Sequence, residues 1–341
     1  MSVPLIAFFN PKGGVGQTSL VYHLAWMYAD QRRRVLVADL DLQANLTAAF
    51  LEDDRLEQLW PEGQHPLTIF GAVEPLLLGT GDVTDEPHVE DVSGGLGLIP
   101  GDLALAQFED ELSRQWSRCL DGQERAFRVL SAFWRVLQRA AKGHSAEFVL
   151  IDLGPNLGAI NRAALVASDY LAIPLVPDLF SLQGLKNLGP MIRKWRHEWV
   201  ARLSHNPNPM LELPAARIEP VGYIVMQHAE RLSRPVRAYE RWARRIPQDY
   251  DREVLGETGL SSGEHLLARV KNYRSLMPMA QEARKPMFHL TSADGAIGAH
   301  TRAVAEAREN FSKLAVELLI RCNIPQRSAD AILMGNSLFY E

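Results

Sequence analysis

The sequence predicts an α/β fold, a mainly parallel twisted sheet with helices on both faces. Three observations carry that expectation. Short aliphatic runs alternate with longer segments of helical periodicity along the 341 residues. The runs are apolar almost without a break, as strands covered on both faces are. The first of them leads into a Gly-rich turn that opens a helix.

In chain order, the predicted strands are "LIAFF" (5–9), "RVLVADL" (34–40), "LGLIP" (96–100), "FVLIDL" (148–153), "YLAIPLV" (170–176) and "PVGYIVM" (220–226). Between them, helical spacing predicts helices over 17–30, 103–118, 123–141, 158–168, 182–201, 234–246 and 294–319. The aromatic residues of "FRVLSAFWRVLQ" (127–138) fall at helical spacing and read as core. Residues 51–95, acidic and rich in Gly and Pro, and the Pro-rich 203–219 read as surface insertions. With no repeat and no linker, one elaborated domain over 1–341 is the expected organisation.

Composition narrows the function. Apolar residues are 47% and charged residues 23%, the balance of a compact soluble chain. There is no apolar run of 18 residues and no basic leader, so neither membrane spanning nor export is expected. The two cysteines, Cys119 and Cys322, match no metal or redox spacing and read as reduced thiols of a cytoplasmic protein. The ten histidines do not cluster at metal spacing, and His228, which could lie near a base, reads better as a surface residue at a strand end. A net charge of −5 excludes a polycation, so nucleic acid can be held only by a local patch.

The Gly-rich turn, "NPKGGVGQTS" (10–19), carries the chemistry. After a strand, such a loop turns successive backbone N–H groups into a concavity, and the positive end of the next helix adds to it. The site comprises Lys12, Gly13, Gly14, Val15, Gly16, Gln17, Thr18 and Ser19, with the Thr18 hydroxyl placed for Mg²⁺. Against the general pattern G-x-x-x-x-G-K-[ST], Pro11 replaces the first Gly and Gln17 replaces the Lys.

"KGGVGQT" closely resembles the deviant Walker A motif KGGxxK[ST] of the ParA/MinD ATPases, whose signature lysine is Lys12 here. Two further blocks resemble the family. "VLVADLDLQANLT" matches its D-x-D-P-Q-x-N strand end at Asp39, Asp41, Gln43 and Asn45, with Leu42 in place of Pro, and "FVLIDLGPNLG" matches its Walker B strand at Asp152 and Pro155. With "LGLIPGDLALAQFEDEL", "ASDYLAIPLVPDLFSLQGL" and "MAQEARKPMFHL", the resemblance runs over about residues 3–320.

The resemblance implies a single P-loop ATPase domain that binds ATP and Mg²⁺. In that reading Thr18 and Asp152 serve the metal, Asp41 positions the attacking water, and Lys12 reaches across a nucleotide-sandwich homodimer to the partner's phosphates. Asp39 either assists the metal or caps the next turn, and Gln43 and Asn45 are as well explained as N-caps.

Gln17 keeps a long stem and an N–H donor for a phosphate oxygen but supplies no positive charge. That forfeits about 1–2 kcal/mol of binding and more in the transition state. Hydrolysis is therefore expected to be slow or blocked. With Lys12, Thr18, Asp41 and Asp152 in place, an introduced Lys→Gln change is the favoured origin, a natural member with slowed hydrolysis the other.

"RLSRPVRAYERWARRI" (231–246) reads as a helix capped by Ser233, with Pro235 in its first turn. Its apolar stripe is Val236, Tyr239, Ala243 and Ile246, and beside it run Arg234, Arg237, Arg241 and Arg244, followed by Arg245. Such a stripe is either a solvated face or a sequence-independent grip on DNA phosphates; the resemblance favours the DNA reading.

The expected function is thus a ParA-type partition ATPase: an ATP-dependent dimer on nonspecific DNA in the nucleoid, working with a ParB-like centromere-binding protein to segregate or position cargo. The loop begins too near the N-terminus for a helix-turn-helix extension, so operator-specific binding is not expected. The alternative from another class is a noncatalytic, nucleotide-gated interaction subunit of a cargo-positioning or defence assembly. A MinD-like membrane switch is disfavoured because "IPQRSADAILMGNSLFYE" has little basic character. An iron-protein-type ATPase lacks its cluster cysteines, and a tyrosine-kinase relative lacks a terminal Tyr cluster.

Overall fold

The computed structural model describes residues 2–326 except 229, 232, 233, 236 and 258–262. Its strands, in chain order, are β1 (Leu5–Phe8), β2 (Val35–Asp39), β3 (Glu90–Ser93), β4 (Leu96–Ile99), β5 (Phe148–Asp152), β6 (Tyr170–Leu175), β7 (Glu219–His228), β8 (Glu230–Arg231), β9 (Arg234–Pro235) and β10 (Leu266–Lys271). Eight form one sheet in the order β10-β7-β6-β1-β5-β2-β4-β3, and β8 pairs with β9 in a separate two-residue ribbon. Every pairing in the main sheet is parallel except β3 with β4.

Alternation along the strands separates two cores. Leu5, Ala7 and Phe9 face one layer, built on the helices Ile69–Leu78, Glu109–Arg118, Ala132–His144, Ala159–Ala167 and Leu179–Leu203. Ile6 and Phe8 face the other, built on Gln17–Asp30 and Ala299–Arg321. The two helices of this second layer are tied where the Tyr28 hydroxyl donates to the Ala315 carbonyl at 2.9 Å.

All six predicted strands form. The two main-sheet strands that the sequence did not announce are edges: β3 is acidic and antiparallel, and β10 is only half buried, so neither has the continuous apolar run that marked the rest. The predicted helix over 123–141 is two helices, Glu124–Leu130 and Ala132–His144, separated at Ser131, whose hydroxyl donates to the Phe127 carbonyl at 2.7 Å. Phe127 and Phe133 are in the core, as expected.

The reading of 51–95 as a surface insertion needs correction. It contains the helix Ile69–Leu78, started by Thr68, whose hydroxyl accepts from the Gly71 amide, and it buries Ile69, Phe70, Ala72, Val73 and Leu76. Average polarity over the stretch hid a ten-residue apolar segment. The predicted helix over 234–246 also changes. The helix is Arg237–Ala243, followed by a short turn Ile246–Asp249, and Arg234 and Pro235 are in β9 instead. Ser233 and Val236 lie outside the described residues.

The long helix Leu179–Leu203 approaches the Glu253–Val254 backbone at Gly189, where an added Cβ would lie 1.8 Å from the Glu253 carbonyl oxygen. Alanine for glycine inside a helix ordinarily stabilises by about 1 kcal/mol. Here Gly189→Ala is expected to destabilise by about 1–3 kcal/mol, because the contact is with backbone. Urea denaturation gives the sign directly.

Candidate nucleotide site

The site stands at the carboxyl ends of the central strands, where the chain leaves β1 for one side of the sheet and β6 lies on the other. Residues 9–16 turn from β1 into the helix Gln17–Asp30, with Gly14 at φ 73° and Gly16 at φ 88°, a left-handed region that disfavours a side chain. Gly16 is the N-cap and supplies no side-chain cap, so amides of the first turn face the concavity. Asn10 steadies the loop from below. Its Nδ2 donates to the Pro174 carbonyl at 2.6 Å and its Oδ1 accepts from the Lys12 amide at 2.9 Å.

Gln17 does not reach for a phosphate. One Nε2 hydrogen goes to Asp152 Oδ1 at 2.8 Å and the other to the Leu153 carbonyl at 2.7 Å, while Oε1 accepts from the Asn10 amide at 3.0 Å. An amide group has two hydrogens to donate, and both are used. The expectation that Gln17 keeps a free donor for a phosphate oxygen is thus corrected: its side chain staples β1 to β5.

Asp39 and Asp152 end neighbouring strands in direct register and are fully buried. Burial, and then the Asp39 charge, push the Asp152 carboxyl up to about 7, against partial relief from Gln17 and the Thr18 hydroxyl. Burial likewise raises Asp39 to about 6. Asp39 accepts from the Thr47 amide and hydroxyl, both at 2.8 Å, and from the Asp41 amide at 3.2 Å. Of its two readings, this geometry supplies the turn-capping one. Asp152 Oδ2, by contrast, is buried with no partner. With the Thr18 hydroxyl it offers hard oxygen donors of the kind that Mg²⁺ takes.

Asp41 lines the cavity and accepts from the Gln43 amide at 3.1 Å. A Cβ at position 154 would lie 2.7 Å from Asp41 Oδ1, so Gly154 makes room for it. Gln43 and Asn45 line the cavity too. Lys12 pairs within its own chain. Its Nζ meets the Asp178 carboxylate, which also caps the helix Leu179–Leu203 through the Ser181 amide at 2.8 Å. Partial burial works to raise Asp178, but Lys12 and that amide hold it below its ordinary value. Asp178 went unrecognised in the sequence, although an Asp before an apolar periodic run is an N-cap signal.

The cavity over the loop measures about 790 Å³. Its far wall, also missed, comes from Tyr22 and His23 and from the segment carrying Met277, Gln281, Arg284 and Lys285. The Tyr22 hydroxyl donates to the Arg284 carbonyl at 3.3 Å, and the Arg284 guanidinium donates to the Leu51 carbonyl and the Asp53 carboxylate, each at 2.7 Å. His23 is pushed down to about 4 by burial, and its ring bridges the Ser19 carbonyl and the Met287 amide. It is a neutral structural residue.

A family model described as an AAA domain matches residues 3–205. The chain belongs to the ParA/MinD family of P-loop ATPases. It is 31% identical over 190 residues to the sporulation initiation inhibitor protein Soj of Bacillus subtilis, covering 55% of this chain and 64% of Soj. It is 32% identical over 189 residues to protein IncC of Escherichia coli, covering 55% and 45%. The matches therefore span less than two thirds of either relative. Among solved structures, the fold resembles protein DIP2308 from Corynebacterium diphtheriae at TM-score 0.71 and 22% identity, covering 94% of this chain and 99% of that one. It also resembles the ATP complex of Cyanothece McdA(D38A) at 0.63 and 14%, covering 96% and 99%.

In this ParA/MinD chain Arg241, Arg244 and Arg245 are not among the residues that line the cavity. Arg241 and Arg245 both stack near the Trp242 ring, at 5.1 and 5.3 Å from its centroid. Arg244 meets Glu240 at 3.4 Å and Arg245 meets Asp249 at 3.7 Å. Arg237 opens the short helix, and Arg234, in β9, is not on it.

The raised acids give a pH test. The folded state favours the protonated Asp152, so ionisation costs stability as pH rises from the ordinary carboxylate range, near 3.8, through about 7. Asp152→Asn is expected to melt higher than the parent at pH 8, with the difference shrinking toward pH 4. Thermal melts across that range check it.

Proposed function

We propose that this chain is a ParA-type partition ATPase that binds ATP with Mg²⁺. The observation that carries the reading is the meeting of the 12–19 loop and Asp41 around one cavity at the ends of β1 and β2, with Asp152 buried at the end of β5 and bonded to Gln17 of that loop. Backbone amides of Gly13–Ser19 cradle phosphates, and Thr18 and Asp152 hold the metal, which supplies charge compensation. Asp41 orients water, with Gly154 keeping its place clear. Lys12 leaves Asp178 to reach the phosphates held by a second copy, forming the nucleotide-sandwich homodimer. Gln17, neutral and fully engaged, slows hydrolysis.

The dimer grips nonspecific DNA through Arg241, Arg244 and Arg245, with Arg237 and Arg234 nearby in sequence, and a ParB-like protein stimulates release. The setting is the nucleoid of the cytoplasm. Among the described residues no helix is long and apolar enough to cross a membrane. The relatives in solved structures include a putative plasmid partition protein of Borrelia burgdorferi bound to AMPPNP, which supports the partition setting.

A second reading has a specific observation behind it. Gln17 fits three partners at 2.7–3.0 Å, including the Asn10 amide, which a lysine could not accept from. That fit favours Gln17 as a native part of a noncatalytic, nucleotide-gated subunit. ATP turnover of the parent and of Gln17→Lys separates the two. A stalled ATPase gains at least about tenfold from the restored charge, and no gain assigns the chain to the second class.

DNA binding by Arg241→Glu with Arg244→Glu is expected to fall at least about tenfold at 0.1 M salt and to flatten the salt dependence. Unchanged binding in a filter assay with ATP present removes these residues from the DNA face.

A further inference from the structure

Among the described residues, three cationic side chains line the cavity besides the neutral His23, and each is already matched with a carboxylate. Lys12 faces Asp178, Arg284 faces Asp53 at 2.7 Å, and Lys285 faces Asp294 at 2.8 Å. At the position from which a lysine would add a charge, Gln17 has spent both hydrogens on Asp152 Oδ1 and the Leu153 carbonyl. The orientation of that amide is fixed, because the opposite placement would set its oxygen against two oxygens and its NH₂ against the Asn10 amide. Near the loop stand Asp41 and the buried pair Asp39 and Asp152.

We infer that Gln17 is a positioning residue that leaves the site of a single chain almost without preference for a triphosphate over a diphosphate. Backbone amides at the loop attract phosphates in general, and a diphosphate already uses them. A third phosphate adds negative charge where, among the described residues, no side-chain cation lining the cavity is unmatched and where carboxylates stand instead. The usual gain from the extra phosphate is therefore absent. The inference rests on the nucleotide-binding reading above and deepens it: the triphosphate is distinguished by Lys12 of a second copy when two chains meet, and not by the loop of one. A single chain would then hold a diphosphate product about as tightly as the triphosphate.

The test is titration calorimetry of the full chain, kept dilute and monomeric by light scattering, with ADP and with the β,γ-imido analogue of ATP, in EDTA and in Mg²⁺. The parent is expected to hold the two within about fivefold in EDTA. Gln17→Lys is expected to shift the ratio toward the triphosphate by about tenfold, the scale of one charge-assisted hydrogen bond. Gln17→Leu, which loses the staple without changing charge, is expected to weaken both ligands equally and leave the ratio alone. A parent preference above fivefold would overturn the inference, and its loss in Gln17→Leu would show that Gln17 itself touches the third phosphate. A ratio that stays put in Gln17→Lys, with circular dichroism showing a folded protein, also overturns it. Failure of the parent to bind either nucleotide sinks the nucleotide reading itself, a different result from an unequal ratio.

Discussion

Two carboxylates placed side by side in the dry end of a parallel sheet set the terms for everything around them. Asp39 and Asp152 are register partners on β2 and β5, and neither touches water. Such a pair is tolerable only if its oxygens are bonded or its protons are kept. The chain handles the two differently. Asp39 is enclosed by Thr47 and by the Asp41 amide, and its space is kept open by Gly101, where an added Cβ would lie 2.8 Å from its carboxyl carbon. Asp152 is bonded on one oxygen and left open on the other. The asymmetry leaves one carboxylate oxygen of Asp152 open where Asp39 has both of its oxygens bonded.

Gln17 belongs to the same economy of oxygens and hydrogens. A neutral donor beside Asp152 relieves it less than a cation would, which agrees with a carboxyl that burial still carries upward. The loop gains rigidity in exchange, since Asn10, Gln17 and the end of β5 become one hydrogen-bonded unit. Lys12 is held in a similar way on the outer side by Asp178, so both residues that flank the glycines are tied to strands or helices of the same chain.

The central strands and the loop were legible because each is local: continuous apolar runs, and glycines at fixed spacing before a helix. Asp41 and Asp152 were legible because they close such runs. What could not be read was set by distance along the chain. The partner of Lys12 lies 166 residues away, and the Asn10 bond that fixes Gln17 depends on backbone geometry rather than residue type. Edge strand β10 and the helix Ile69–Leu78 were hidden for compositional reasons, one with its apolar run broken by Arg269 and Lys271 and the other inside a stretch that is polar on average. The arginine segment shows the opposite error. Helical spacing was continued through Pro235, which sits instead in a two-residue ribbon.

Arg284 has a consequence beyond the wall it helps to build. Its guanidinium grips Leu51 and Asp53, and its carbonyl takes the Tyr22 hydroxyl, so it ties together the helix after the loop, the end of the Asn45–Phe50 helix that follows Asp41, and the segment before the last long helix. Two stretches that each lie more than 200 residues away in the chain are thereby geared to one residue. Whatever fills the cavity meets a frame in which displacement at any corner is felt at the other two.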